Sequence, residues 1–187
     1  EVPNLMLEEK LDVVALKKLA LPEKSAPNLT QWNDFVYRLK NPKHTITVGL
    51  VGKYVELQDS YKSILEAFIH AGATHNTKVN VVSLHSEYIN ANSAETQLKN
   101  IDGILVAPGF GERGIEGKIE TVKYAREKGV PFFGICLGMQ MAVIEYARNV
   151  LGWKDANSTE MNQATAHPVI SLMDEQKNIT DKGGTMR

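Results

Sequence analysis

From residue 44 onward the chain alternates short β-branched, apolar runs with segments of helical period, and this alternation restricts the fold more than any other feature. ITVGLVG (46 to 52), KVNVVSL (78 to 84), GILVAP (103 to 108) and VPFFGIC (130 to 136) read as four strands. Between them, Tyr61, Ile64, Leu65, Phe68 and Ile69 share one helical face behind an Asp59 or Ser60 cap. Residues 93 to 99 read as a short, weak helix and residues 115 to 128 as a longer one. A last helix near 138 to 149 is expected to carry Met139, Ala142, Val143 and Tyr146 inward. Repetition of strand, helix, strand predicts an α/β fold: a mostly parallel sheet covered by helices on both faces. Ligands of such sheets bind beyond the carboxyl ends of the strands, so candidate sites belong at strand-to-helix turns.

The flanks have a different texture. Leu11, Val14 and Ala15 share a helical face, LPEKSAP interrupts, and Trp32, Phe35, Val36 and Leu39 then repeat at helical spacing up to Asn41-Pro42. We read two helices and a connector over residues 1 to 43, as a linker from another domain. Beyond residue 150 one strand is expected and the end, DKGGTMR, is loop-like.

With 187 residues and 43% hydrophobic content the chain can bury one sizeable core. Its formal charge of −1, from 21 basic and 22 acidic residues, supplies no global field toward nucleic acid or an anionic membrane. No apolar run is long enough for a membrane-spanning helix, and neither a leader peptide nor a starting methionine is present; a soluble, cytoplasmic fragment or processed piece is expected. A single cysteine cannot form an internal disulfide, which suits a reducing compartment. No metal-ligand spacing is evident.

Three glycine-rich turns compete as sites. GLVGKY (49 to 54) lacks the spacing and the Ser/Thr of a phosphate-binding loop. GFGERG (109 to 114) matches the dinucleotide fingerprint literally, but the next strand ends without the acidic ribose ligand and Pro108 precedes the first glycine. It reads either as a plain turn or as a loop whose N–H groups approach a ligand closely. GICLG (134 to 138) places the lone Cys136 between two glycines where a strand turns into a helix, with cysteine where a nucleophile elbow carries serine. A helix N-terminus favours the thiolate. The N–H of Leu137 and one from the Gly109 loop would then face an oxyanion. The same spacing also fits a cysteine that merely packs as a small apolar residue.

GICLGMQ and APGFGERGIEGK, with VGKYVEL, DSYKSI, ANSTE and GGTMR in the same order, closely resemble the glutamine amidotransferase domain of the CTP synthase family. The resemblance covers residues 44 to 187, and residues 1 to 43 look like the end of that family's synthase domain plus the interdomain linker. It implies a flavodoxin-like, class I amidotransferase fold, incomplete at its carboxyl end. It also implies that Cys136 attacks glutamine, that Gly109 and Leu137 bind the oxyanion, and that Gln140 and Glu160 hold the substrate. Phe110, Arg113, Gly114 and Glu116 match positions near a GTP effector, and GGTMR matches part of a mobile lid. No cofactor is implied for this chain itself; the whole enzyme of that family uses ATP and Mg2+ with GTP as activator, aminates UTP to CTP with ammonia from glutamine, and is a tetramer. Two departures stand out. Pro108 replaces a glycine of the family loop, and the chain stops at Arg187, before the segment carrying the family's catalytic His and Glu. None of His44, His70, His75, His85 or His167 fits that partner by motif, and His167 is expected to be structural or exposed. A polypeptide ending at Arg187 is therefore expected to be nearly inactive, since a general acid and base contribute about 10² to 10⁴ in rate. Another Cys-dependent amidotransferase, a DJ-1/PfpI-like hydrolase, and a non-catalytic regulatory domain remain as alternatives.

Overall fold

A computed structural model describes residues 1–22, 25–57 and 59–173, and the GGTMR stretch lies outside them. The chain forms two compact units, one of residues 1–46 and 63–79, the other of residues 47–62 and 80–187.

The first unit opens with three helices, α1 (Val2–Glu8), α2 (Leu11–Lys18) and α3 (Thr30–Lys40), where the sequence suggested two. The reason is local: Lys10 adopts a left-handed backbone at φ 53°, which breaks the helical run between Glu8 and Leu11. None of the three helices has a buried residue. Most of α4 (Lys62–Thr74) completes this unit, and Phe35 meets His70 edge-on at 5.6 Å between ring centres.

The second unit holds the sheet. β1 (His44–Gly52), β2 (Thr77–His85), β3 (Gly103–Val106) and β4 (Phe132–Gly134) lie in the order β2-β1-β3-β4. β1 and β3 pair in parallel, as do β3 and β4, and the register brings Val51, Val106 and Gly134 level across the three strands. The doubly wound order places its switch point between β1 and β3, where ligands of such folds bind. A short 3-10 turn (Ser86–Tyr88) and α5 (Ala94–Leu98) follow β2, α6 (Ile115–Lys128) follows β3, and α7 (Leu137–Asn149) follows β4. Ile115, Ile119, Val122 and Ala125 form the buried stripe of α6. Together with Val51, Ile104, Val106, Met141 and Ile144 they make the core.

The inward face of α7 corrects the sequence reading. Leu137, Met141, Ile144 and Ala147 are buried, whereas Met139 and Tyr146 are about half exposed, at 49% and 52%. Val143 is also exposed, and of the four expected inward residues only Ala142 packs against the core. Both faces of LGMQMAVIEYA are apolar, so helical period alone could not choose the phase; packing onto the sheet did. The outer face joins Leu151, Trp153 and Val169 around an apolar groove. Beyond α7 there are two short strands rather than one, β5 (Asn157–Ser158) and β6 (Pro168–Ile170), paired in parallel.

A buried ion pair ties α6 to α7. Glu145, 1% exposed, accepts hydrogen bonds from Arg126 Nε at 3.1 Å and Nη2 at 2.8 Å, and from Asn149 Nδ2 at 3.2 Å. The Glu145 carboxylate holds the Arg126 guanidinium above its ordinary pKa. Truncation by Glu145→Ala is expected to cost about 2 kcal/mol, below the usual 3–5 for a broken buried pair because Arg126 is partly exposed and can turn to water. A urea melt showing a midpoint indistinguishable from wild type would contradict this.

Candidate active site

Three strand ends define the site. The residues following the level set Val51, Val106 and Gly134 are Gly52-Lys53, Ala107-Pro108-Gly109 and Ile135-Cys136, and neighbouring strands lie about 4.8 Å apart. The β3 and β4 connections therefore emerge side by side, ahead of the N-termini of α6 and α7.

Cys136 is the residue at which β4 ends and α7 begins. It is exposed, and its backbone sits at φ 51°, ψ −105°, a conformation that costs an L-residue about 1–3 kcal/mol. The turn is tight enough to require both glycines. A Cβ on Gly134 would stand 2.5 Å from the carbonyl carbon of Gly138, and one on Gly138 would stand 2.1 Å from the Val106 oxygen. The Ile135 N–H donates to Val106 O at 3.1 Å and the Gly138 N–H to Ile135 O at 2.8 Å, fixing the elbow against β3.

Among the described residues several amides at this edge have no acceptor, those of Gly109 and Leu137 among them, although the Leu137 side chain is buried. The two residues are neighbours: the Cβ position of Gly109 lies 3.6 Å from Leu137 Cδ2. Pro108 offers no N–H donor to this loop and leaves the Gly109 N–H in place. Gln140 lies in the first turn of α7, its N–H donating to Cys136 O at 3.1 Å. Its side-chain Oε1 is buried without a hydrogen-bond partner among the described residues. Such an acceptor is costly to leave unmet.

Two lysines underlie the loop, and the sequence reading missed both. Lys53, 7% exposed, donates its ammonium to the carbonyl of Phe110. Lys118, fully buried on α6, donates to Ala107 O at 3.0 Å, and its Nζ lies 3.6 Å from the Cβ position of Gly109. Burial, reinforced by Lys53 and opposed by Cys136, pushes the Lys118 ammonium down from 10.5 to about 8. A signal for Lys118 was present, since it interrupts the apolar stripe Ile115, Ile119, Val122 on its own buried face. For Lys53 the signal was its place directly after a strand, which dismissal of the phosphate loop left unused.

The remaining expected residues are more scattered. Phe110 is half exposed, and Gly114 takes the left-handed N-cap of α6 at φ 75°. Arg113 pairs with Glu87 at 2.8 Å and lies over the Tyr54 ring at 5.9 Å from its centre. Glu116 is engaged elsewhere, accepting two hydrogen bonds from Arg148 Nη1 at 3.0 and 3.1 Å. Glu160 stands exposed in the turn after β5, its N–H donating to Ser158 Oγ at 3.2 Å. His167 is committed within its own loop region: Nδ1 meets Asp155 Oδ1 at 2.5 Å and the ring stacks on Trp153. No group of three or more His, Cys, Asp or Glu residues suited to a metal occurs among the described residues, and no helix there is long and apolar enough to cross a membrane.

A thiol at a helix N-terminus beside two free main-chain amides is the equipment of a cysteine-dependent acyl-transfer centre. The family model described as glutamine amidotransferase class-I matches residues 56–187, and the chain belongs to that family. Among its relatives, a protein named CTP synthase from Flavobacterium psychrophilum is 78% identical over the whole of this chain, and another of that name from Flavobacterium johnsoniae is 73% identical. This chain spans only about a third of them, 35% of each relative's length. A solved structure of the glutaminase domain of a Trypanosoma brucei CTPS with bound acivicin superposes with a TM-score of 0.68 at 40% identity. That match covers 71% of this chain and 52% of the solved one.

Proposed function

We propose that this chain is the glutaminase part of a glutamine-hydrolysing CTP synthase, a ligase that aminates UTP with ammonia released here. The reading is carried by one observation above the rest: the free N–H groups of Gly109 and Leu137 flank the elbow that exposes Cys136. The Cys136 thiolate attacks the side-chain amide carbon of glutamine, and the carbonyl oxygen gains negative charge between those two N–H groups. The C–N bond then breaks, ammonia leaves with a proton from a general acid, and a glutamyl thioester remains. Water cleaves the thioester, giving glutamate and restoring the thiol. Gln140 offers its unpaired amide oxygen to the substrate and Glu160 its carboxylate to the substrate ammonium. The catalytic acid and base are assigned to a His and a Glu outside these residues, consistent with the pairing of His167 to Asp155.

The wider assignments follow from the relatives' name. A synthase domain would use ATP and Mg2+ to activate UTP, and the enzyme would assemble from several subunits. GTP would act near Phe110, Arg113, Gly114 and Glu116. Of these, Arg113 and Glu116 would exchange their present partners Glu87 and Arg148 for the nucleotide.

A chloroketone analogue of glutamine tests the core of the reading. Labelling mapped to Cys136 is expected, and millimolar glutamine is expected to suppress it. Labelling indifferent to glutamine would fit a general thiol hydrolase instead, and no labelling a domain without catalysis.

A further inference from the structure

A buried ammonium needs a counter-charge, and Lys118 has no carboxylate within ion-pair distance among the described residues; its one hydrogen bond is to the Ala107 carbonyl. Removing a cation from water without a partner is among the most costly burials in a protein. The Lys118 Nζ lies 3.6 Å from the Cβ position of Gly109, whose own neighbour across the turn is Leu137. We propose that Lys118 is a positioning residue of the glutaminase site, whose ammonium holds the oxyanion loop by the Ala107 carbonyl and balances the charge that develops on the substrate oxygen beside Gly109. The inference rests on the glutaminase reading and extends it to a residue that touches neither substrate nor sulfur.

Geometry limits the other candidates for this role. Lys53, directly after β1, directs its ammonium to the Phe110 carbonyl. Tyr61, whose phenol is held above its ordinary pKa by burial, hydrogen bonds to the Tyr54 N–H. β4 carries no charged residue, and the first turn of α7 has no acidic one. Both lysines reach Gly109, Lys53 Cε at 3.5 Å and Lys118 Nζ at 3.6 Å from its Cβ position, and of the two ammonium groups that of Lys118 is fully buried and bonded to Ala107.

Two substitutions in the full-length enzyme separate charge from packing. Lys118→Met keeps length and removes charge; Lys118→Gln removes charge and keeps a donor for the Ala107 carbonyl. The rate at which the glutamine chloroketone labels Cys136 is measured at pH 7 beside kcat and KM for glutamine. In both variants the labelling rate and kcat are expected to fall about tenfold with KM little changed, as loss of a charge beside the developing oxyanion demands. Lys118→Met is expected to melt higher than wild type at pH 7, since it removes a desolvated charge, whereas a residue kept only for packing would melt lower. A labelling rate and a kcat equal to wild type in either variant overturn the proposal while the glutaminase reading stands. Failure of glutamine to protect wild-type Cys136 removes the reading itself and the proposal with it.

Discussion

Cys136→Gly should abolish glutamine hydrolysis and yet leave a more stable fold. Loss of the nucleophile removes the only atom that can form the thioester, and single deletions of this kind cost about 10⁴-fold or more in kcat. The gain in stability comes from the backbone: at φ 51°, ψ −105° any side chain is strained, and glycine is not. Relief of about 1–3 kcal/mol is partly offset by the greater freedom glycine has when unfolded, about 0.5–1 kcal/mol. A net rise of about 1 kcal/mol follows, and because Cys136 is exposed its removal opens no cavity. Denaturant unfolding of the variant beside wild type checks the sign. If Cys136→Gly proved less stable than Cys136→Ala, the elbow would not be strained and the exposure of the thiol would need another cause.

That combination of strain and reactivity explains which parts of the molecule could be read from the sequence. The sheet was legible because the strands of a parallel sheet are continuous apolar runs, and ITVGLVG, GILVAP and VPFFGIC contain little else, although in β4 Phe133 stands exposed. The elbow was legible because close approach of α7 to β4 admits only glycine at 134 and its approach to β3 only glycine at 138, and glycine is visible in a sequence. The phase of α7 was not legible, since its outer face of Met139, Val143 and Tyr146 is as apolar as its inner one. Nor was the break at Lys10, where no glycine or proline announces the left-handed turn. Lys53 and Lys118 were missed for a different reason. A lysine in an amphipathic helix is read as solvent-facing even where, like Lys118, it falls within the apolar stripe, and the tertiary fold places its ammonium beneath a loop eleven residues before it in the chain.

The site thus concentrates departures from what would be most stable. Cys136 is strained, Lys118 is charged and dry, Gln140 Oε1 is buried without a partner, and two amides stand without acceptors. Each departure costs folding free energy, and a bound amide substrate would answer most of them: its oxygen the two N–H groups and the Lys118 charge, its amino or amide N–H the Gln140 oxygen. Local rules tend to fail where function requires it.

Gly138→Ala tests how closely that arrangement depends on a single contact. The added Cβ would meet Val106 O at 2.1 Å, its carbonyl carbon at 2.9 Å and the Val106 Cβ at 3.1 Å. The first two atoms are backbone of a core strand, so the clash cannot be relieved by a rotamer change. α7 must lift from β3 by an ångström or more, which opens the packing of Met141 and Ile144 against Val106 and pulls Leu137 away from Gly109. Overpacking of a close-packed interior costs about 1–3 kcal/mol, and here backbone rather than side chain must yield, so about 3 kcal/mol is expected. The catalytic loss should be larger than the stability loss implies. A displacement of about 1 Å between the Gly109 and Leu137 N–H groups proposed to bind the oxyanion is enough to lower kcat about 10²-fold in the fraction that remains folded. The comparison that decides is kcat corrected for the folded fraction at a temperature well below the melting point. An alanine variant that melts lower but keeps wild-type kcat per folded molecule would show that the Gly109 and Leu137 amides need not be held together by the closeness of α7 to β3.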